Sequence, residues 1–487
     1  MKGAGLVKSM AIVGLVMTLV VLVAGLARGR AMVGAKPNLT PPAMAVAVGS
    51  LSPPPPPPKY MAKQELADLI GPRDLEEVAG EYFEIFDANG RPLFVKTTLD
   101  PNLQSQALKW VNSSGALKAA LVVLDPATGR VLALAGSGNP EFNAALESSF
   151  PAASIFKIVT AAAAMEMADY NSMTSIAYDG SQHTLYKANL AKGPDQGAHS
   201  STLRESFAKS INSVFGKLGA FSLGPNQLEE MATSFGFNES LDFELPLASS
   251  YFELGENPDD SFRLAELASG FNRDTRLSPV HGALIASMAL NGGDLFEPTI
   301  ISQVSDLEDQ VVYRGRPKVL THAISLQTSE ELSLMMQAAV TEGTGRKHFS
   351  DAKTNPVLSK LILGGKSGTI NDETGAKVDW FVAFAAPSDD QGDDQGHDNA
   401  DGPGHEPIDG HADDQIDPIA QNPQSPSLAL AAVIVHDGKT NFASQELIRK
   451  ALLAYYSPLL NPKDPAKAKA KAKVMAGQKT KPSPGRS

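Results

Sequence analysis

A short alanine-rich stretch, PAASIFKIVTAAA at residues 151–163, predicts the start of a helix whose first turn carries Ser154 and Lys157. A helix that is apolar on all sides is buried, so this stretch belongs in the core of the fold. Residues three apart share one helix face, so the Ser154 hydroxyl and the Lys157 amine can touch. A desolvated lysine with a lowered pKa can take the proton of a serine and make it a nucleophile.

The same Ser-x-x-Lys pattern occurs a second time, at residues 206–209. A serine at a helix start followed by a surface lysine produces this pattern without any chemical role. Chance alone is expected to give a couple of matches in a chain of 487 residues. The pattern by itself leaves both interpretations open.

Composition excludes several classes of function. The formal net charge is −12, but eleven acidic residues lie between Asp389 and Asp417, where Lys and Arg are absent, and the rest of the chain sums to −1. A nearly neutral folded part gives no indication of a nucleic-acid partner. The chain contains no cysteine, which excludes disulfide bonds, thiol catalysis and cysteine zinc sites.

The N-terminal residues predict a membrane anchor. Residues 10–26 form an uncharged apolar run that Lys2 and Lys8 precede. An uncleaved anchor fits this run better than a removed signal peptide, because no small-x-small cleavage site follows it. We therefore assign residues 1–30 to an N-terminal tail and anchor, whose orientation is not settled by charge because basic residues flank both ends of the run, and residues 31–59 to a proline-rich linker, in which six consecutive prolines form a semi-rigid spacer.

The remaining chain divides into three parts. Residues 60–111 form a short membrane-proximal region, and residues 112–456 form the main domain. Inside this domain, residues 388–427 are an acidic insert that lacks the apolar residues needed to fold. Residues 457–487 are a basic tail that is predicted to be disordered.

Apolar periodicity and turn residues predict the secondary structure of the folded part. The predicted strands are residues 82–86, 92–99, 118–124, 130–135, 361–370, 378–385 and 428–435. Helices are predicted at residues 101–111 and 443–456, and a mostly helical region from Lys157 to about Gln337. In the main domain, two strands, a helical region, three strands and a final helix indicate an α+β fold. Its sheet is five-stranded and antiparallel, with helices on both faces.

Two further motifs follow Lys157 in a fixed order. Ser210-Ile211-Asn212 begins 53 residues after Lys157, and Lys366-Ser367-Gly368-Thr369 begins 154 residues after Asn212. The second motif is not a nucleotide-binding loop, because Lys360 stands where that pattern needs glycine and the motif continues as a strand. The second Ser-x-x-Lys match has no other Ser-x-Asn behind it, so only one ordering of the three motifs works.

This ordered set resembles the motifs of the transpeptidase domain of penicillin-binding proteins. Four other segments are similar to that family: TTLDPNLQ at residues 97–104, LDPATGRVLA at residues 124–133, TEGT at residues 341–344 and DWFV at residues 379–382. The resemblance runs from about Thr97 to Tyr456, without the insert. It implies the fold of serine β-lactamases and penicillin-binding proteins, with a five-stranded antiparallel sheet covered by helices and a mainly helical subdomain.

The resemblance implies roles for the first two motifs. Ser154 would attack the D-Ala-D-Ala carbonyl of a peptidoglycan stem peptide, and Lys157 would be the base. Ser210 would pass a proton toward the leaving amine. Asn212 would hold the substrate amide and Lys157.

The third motif would bind the end of the substrate. Lys366 would hold Lys157 neutral and attract the terminal carboxylate, which Ser367, Gly368 and Thr369 would bind. The backbone N–H groups of Ser154 and Thr369 would form an oxyanion hole.

The implied protein is a monofunctional, membrane-anchored D,D-transpeptidase that binds penicillin covalently and needs no cofactor or metal. Its partners would be stem peptides, β-lactams, the cytoplasmic membrane through residues 10–26, and other cell-wall synthesis proteins. The catalytic domain would lie on the periplasmic or extracellular side. Alternatives are a D,D-carboxypeptidase, a β-lactamase or β-lactam sensor, and a non-catalytic scaffold. Penicillin sensors usually carry an aliphatic residue at the position of Asn212.

Overall fold

The computed structural model describes residues 60–71, 82–137, 143–193, 195–388 and 426–460. The predicted anchor, the linker, residues 389–425 of the acidic insert and the tail beyond residue 460 lie outside the described residues. Among the helices in these ranges, none is both long and apolar enough to cross a membrane.

The described strands, numbered β1 to β15 in chain order, are Tyr82–Phe86, Pro92–Thr97, Lys118–Leu124, Val131–Gly136, Phe150–Pro151, Ser175–Tyr178, His199–Thr202, Arg276–Leu277, Asp294–Phe296, Ile301–Ser305, Val311–Arg314, Val319–His322, Leu361–Asn371, Lys377–Pro387 and Leu428–His436. The described α-helices, numbered α1 to α10, are Lys63–Ala67, Pro101–Asn112, Lys157–Met167, Leu203–Lys209, Asn212–Lys217, Gly224–Ser234, Ser261–Ser269, Pro279–Ser287, Leu326–Thr341 and Ser444–Leu460.

The central sheet is five-stranded and antiparallel, with the strand order β13-β14-β15-β3-β4, which confirms the predicted fold. Its strands are apolar at successive positions because both faces are covered. Along β3, Ala120, Val122 and Leu124 belong to one hydrophobic cluster, whereas Leu121 and Val123 belong to another. A continuous apolar run is the pattern of a strand that is buried on both sides.

Helices cover the two faces of this sheet. Helices α2 and α10 pack on one face, and α8 lies against β3, β14 and β15 on the other. Helix α3, which is the predicted Ala-rich helix, packs against α6 and α9 and is enclosed by other elements. All eight of its residues from Lys157 to Ala164 are buried. Strand β13 stays at the edge of the sheet, so one side of its backbone faces away from β14.

A second sheet was not predicted. It has the order β1-β2-β10-β11, and β2 pairs with β10 from Thr97 to Phe94. Strands β1 and β2 therefore share a sheet with residues after 300. The prediction of helices and loops between Lys157 and Gln337 omitted β10 and β11. Each of these strands is only four or five residues long and shows little alternation of apolar and polar residues.

The final helix is longer than predicted. It continues through Pro458 to Leu460, so the prediction that the tail begins at Ser457 was wrong. Leu459 and Leu460 pack against the second hydrophobic cluster, and the Leu460 carbonyl accepts a hydrogen bond from Lys360 Nζ at 2.9 Å. These contacts explain why the helix extends past the proline.

A buried carboxyl joins the chain before β9 to the second sheet. Glu244 is fully buried and accepts hydrogen bonds from the Ile300 N–H at 3.0 Å and the Tyr313 hydroxyl at 2.8 Å. The Thr299 hydroxyl also donates to it. Lys63 of α1 lies 4.0 Å away and donates to Glu297 at 2.6 Å. The network fixes α1 and the second sheet to the body of the domain.

We expect Glu244→Ala to lower the free energy of unfolding by about 3 kcal/mol, because it leaves buried donors without an acceptor. Urea unfolding followed by circular dichroism measures this change. The exposed Glu239→Ala is the matched control, and we expect it to change stability by less than about 0.5 kcal/mol. Equal effects of the two substitutions would contradict the assigned role of Glu244.

Candidate active site

The segment that carries Ser154 is fixed from two sides. The Trp380 indole N–H donates to the Pro151 carbonyl at 2.9 Å, and the Ala152 N–H donates to the Thr275 carbonyl at 2.8 Å. Ala153 has a φ of 49°, a left-handed conformation that costs a non-glycine residue about 1 kcal/mol. The turn presents Ser154 in a 3-10 turn, Ala153–Phe156, directly before α3.

The Lys157 amine lies at the centre of the site and is fully buried. It donates to the Ser154 hydroxyl at 2.8 Å and to Asn212 Oδ1 at 2.8 Å. A third hydrogen bond goes to the Ser269 carbonyl, at the end of α7. The predicted contact between serine and lysine is therefore present, and Asn212 completes it from a different helix.

The second motif lies where two short helices meet. Ser210 ends α4 in the left-handed conformation, with φ 57° and ψ 47°, which lets the chain turn into α5 two residues later. The Asn212 N–H donates to the Gln182 carbonyl at 2.7 Å, and Asn212 Nδ2 donates to the His183 carbonyl at 2.8 Å. These two bonds orient the amide so that its oxygen faces Lys157.

The third motif lies on the edge strand β13. The Lys366 amine donates to the Ser210 hydroxyl at 3.0 Å and to the Ser367 carbonyl at 2.9 Å. A Cβ atom at Gly368 would lie 3.2 Å from the Ser154 nitrogen and 3.2 Å from Ala153 Cβ. Glycine therefore lets the strand pass this close to Ser154 without displacing its neighbours.

Burial controls the protonation of both lysines. Desolvation lowers the pKa of Lys157 well below its usual value, and the charge of Lys366 lowers it further. Desolvation also lowers the pKa of Lys366 to about 7. A neutral amine beside a serine hydroxyl can act as a general base near neutral pH.

The structure brings the predicted residues together in two connected groups. Ser154, Lys157 and Asn212 form one, and Ser210 and Lys366 form the other. The second Ser-x-x-Lys match differs. Lys209 forms an ion pair with Glu205 on the protein surface, and the buried Ser206 hydroxyl has no hydrogen-bond partner among the described residues. The interpretation of that match as structural agrees with these contacts.

Several contacts in the site were not predicted as functional. The Thr344 hydroxyl lies 2.6 Å from the Ser367 hydroxyl. Asp379 accepts a hydrogen bond from the Thr369 hydroxyl at 3.3 Å and one from the Ser444 hydroxyl at 3.0 Å. Thr344 and Asp379 lie in two of the segments whose resemblance to the family is visible in the sequence, residues 341–344 and 379–382. The Ser269 carbonyl has no comparable signal, because every residue carries a backbone carbonyl.

This arrangement supports acyl transfer. It provides a serine nucleophile, a buried amine that can accept its proton, and a second amine next to a hydroxyl. Among the described residues, no group of three His, Asp or Glu side chains could hold a metal ion.

Comparison with known families identifies residues 119–392 as a match to the penicillin-binding protein transpeptidase domain. The match covers more than half of the 487-residue chain. It contains all eight of the predicted site residues and ends within the acidic insert, before β15 and α10.

Individual proteins with known roles are also similar. Peptidoglycan D,D-transpeptidase PbpA of Mycobacterium tuberculosis is 27% identical over 334 residues, which cover 60% of this chain and 64% of that protein. Stage V sporulation protein D of Bacillus subtilis is 26% identical over 297 residues, covering 55% and 43%. The matched part is therefore less than two thirds of either relative's length.

Among solved structures, the imipenem acyl-enzyme complex of penicillin-binding protein A from M. tuberculosis has a TM-score of 0.55 and 23% identity. That similarity covers 74% of this chain and 79% of the other. At this level of identity the comparison establishes a shared fold.

The lowered pKa of Lys366 predicts how stability depends on pH. Lysine titrates near 10.5 when exposed but near 7 at this site. Between these values the unfolded chain binds more protons, so the free energy of unfolding rises with pH by at most about 1.4 kcal/mol per unit. We expect Lys366→Met to flatten this rise, and the exposed Lys439→Met to leave it unchanged. Urea unfolding at several pH values between 7 and 10 provides the test, and an unchanged slope in Lys366→Met would contradict it.

Proposed function

This chain belongs to the penicillin-binding protein transpeptidase family, and we propose that it is a peptidoglycan D,D-transpeptidase that works through a serine acyl-enzyme. The observation that carries the proposal is the buried Lys157 amine, which is held 2.8 Å from the Ser154 hydroxyl. The lowered pKa of Lys157 gives this amine the protonation state that a general base needs.

The acylation step uses the first two motifs. Lys157 takes the hydroxyl proton while Ser154 Oγ forms a bond to the carbonyl carbon of the penultimate D-Ala. The bond from that carbon to the terminal D-Ala nitrogen then breaks, and the proton held by Lys157 passes through Ser210 to the leaving amine, which leaves Lys157 neutral before deacylation. The contact of Lys366 with Ser210 at 3.0 Å supports this route, because it connects the second amine to the proton path.

The deacylation step reverses these roles. The amine of a second stem peptide attacks the ester carbon and loses a proton to Lys157, and Ser154 leaves with a proton restored to its hydroxyl. The product is a new amide bond between two stem peptides. The backbone N–H groups of Ser154 and Thr369 stabilise the oxyanion in both steps, where one lost donor costs roughly 2.7–4 kcal/mol.

The third motif recognises the substrate terminus. Lys366 supplies positive potential, and the hydroxyls of Ser367 and Thr369 donate hydrogen bonds to the carboxylate, with Gly368 keeping the strand close to Ser154. Thr344 supports this set by fixing the Ser367 hydroxyl, which lies 2.6 Å from its own. A β-lactam carries a carboxylate and a reactive amide in a similar arrangement, so it acylates the same serine.

The remaining segments support a location of this domain at the cell surface. Residues 10–26 anchor the chain in the cytoplasmic membrane, and residues 31–59 separate the anchor from the domain. The catalytic domain then faces peptidoglycan on the outer side of that membrane. The same location gives access to other cell-wall synthesis proteins.

We expect the full chain to gain one whole molecule of benzylpenicillin, and Ser154→Ala to gain none. Intact-mass spectrometry over time measures the adduct. A long-lived adduct fits a penicillin-binding protein. Loss of the adduct within seconds with drug hydrolysis would indicate a β-lactamase, and no adduct on the folded chain would indicate a scaffold.

The acyl acceptor distinguishes a transpeptidase from a carboxypeptidase. We expect a peptide ending in D-Ala-D-Ala, mixed with glycine as an amine acceptor, to give both the exchanged and the hydrolysed product, with exchange increasing with glycine concentration. Liquid chromatography with mass detection separates the two products. Hydrolysis alone at every glycine concentration would support the carboxypeptidase.

A further inference from the structure

The lysine at the end of α5, Lys217, is fully buried and has no part in the reaction described above. Lys217 lies five residues after Asn212, at the other end of the same short helix. Its amine donates three hydrogen bonds to backbone carbonyls: Ala177 at 3.0 Å, Gly193 at 3.0 Å and Gln196 at 2.6 Å. A lysine amine has three donors, and these acceptors occupy all of them.

The three carbonyls belong to one loop. Residues 177–193 and 195–197, here called the α5 loop, run from the last two residues of β6 toward β7, and the regular structure described between these two strands is the 3-10 turn Lys187–Leu190. The first carbonyl lies at the start of the loop and the other two lie near its end. Lys217 therefore holds the two ends of the loop together and against the helix.

The middle of the α5 loop reaches the catalytic asparagine. The carbonyls of Gln182 and His183 accept the two hydrogen bonds that orient Asn212. Leu185 is buried, and a Cβ atom at Gly216 would lie 3.0 Å from its Cδ1 atom. The loop thus contacts α5 at both ends of the helix and forms one wall of the site.

We propose that Lys217 is a positioning residue, which fixes the α5 loop so that the Gln182 and His183 carbonyls hold Asn212 against Lys157. This inference rests on the proposed acyl-transfer function. A single amine bound to three carbonyls ties together parts of the loop that are far apart in sequence. A methionine of similar length fills the same space but cannot donate, so the loop ends would separate and water would reach Asn212 and Lys157.

The test compares Lys217→Met with Lys63→Met in the full chain. Lys63 is a matched control, because it also donates to two backbone carbonyls, those of Asp242 and Pro298, and to one side chain, Glu297. None of these partners contacts a catalytic residue. Two quantities are measured in each variant: the rate of acylation by benzylpenicillin at several pH values, and hydrogen exchange of the backbone amides from residue 178 to residue 197.

We expect Lys217→Met to exchange faster in the α5 loop and to be acylated about ten- to a hundredfold more slowly, because a small displacement of a catalytic group has an effect of this size. The acidic limb of its pH–rate profile should move to higher pH, since water that reaches Lys157 favours the charged amine. Lys63→Met should lose stability without any of these three changes. If Lys217 had only a structural role, neither variant would be acylated more slowly than the wild-type chain.

Acylation at the wild-type rate with faster exchange in the loop would overturn the proposal. If Lys217→Met does not fold, Lys217→Arg is used instead, because arginine retains hydrogen-bond donors. The proposal then requires that the exchange rate of the α5 loop and the acylation rate either both change or both stay as in the wild type. A change in only one of them would overturn it. Failure of the wild-type chain to form an adduct at all would instead overturn the proposed function.

Discussion

Two lysine amines are buried within one cleft, and the surrounding fold has to make this possible. Lys157 and Lys366 are both fully buried, and burial disfavours the charge of each. Each amine therefore needs fixed acceptors, and these come from separate elements: the Ser269 carbonyl, the Asn212 amide and the Ser210 hydroxyl. Strand β13 holds Lys366 in place because it is part of the central sheet, and helix α3 holds Lys157 in place because it is enclosed by other elements.

Much of this site could be predicted because its chemistry depends on side chains in short local patterns. Ser154 and Lys157 share a helix face, and the other two motifs follow in the only order that fits. The central sheet could be predicted for a similar reason. Its strands are continuous apolar runs such as residues 118–124, which are easily recognised when both faces are buried.

Other parts could not be predicted, because their partners are distant in sequence or lie in the backbone. The pairing of β2 with β10 joins residues some 200 positions apart. The carbonyls of Ser269 and His183 accept hydrogen bonds from Lys157 and Asn212, but a carbonyl leaves no trace in the residue type. Lys217 looks like a surface lysine at the end of a helix, and only the loop folded over it reveals that it is buried.

The connection between β14 and β15 begins at Pro387, at the end of the sheet opposite to Thr369 of the candidate site. Pro387 pairs with Leu361, whereas Asp379 pairs with Thr369. Leu361 and Thr369 are eight positions apart along β13, which corresponds to about 26 Å. Chain length at such a connection has only a small effect on folding. The length and charge of this connection can therefore vary in evolution without changing the residues of the candidate site. For the same reason, an affinity tag or fluorescent reporter inserted there would leave the site accessible.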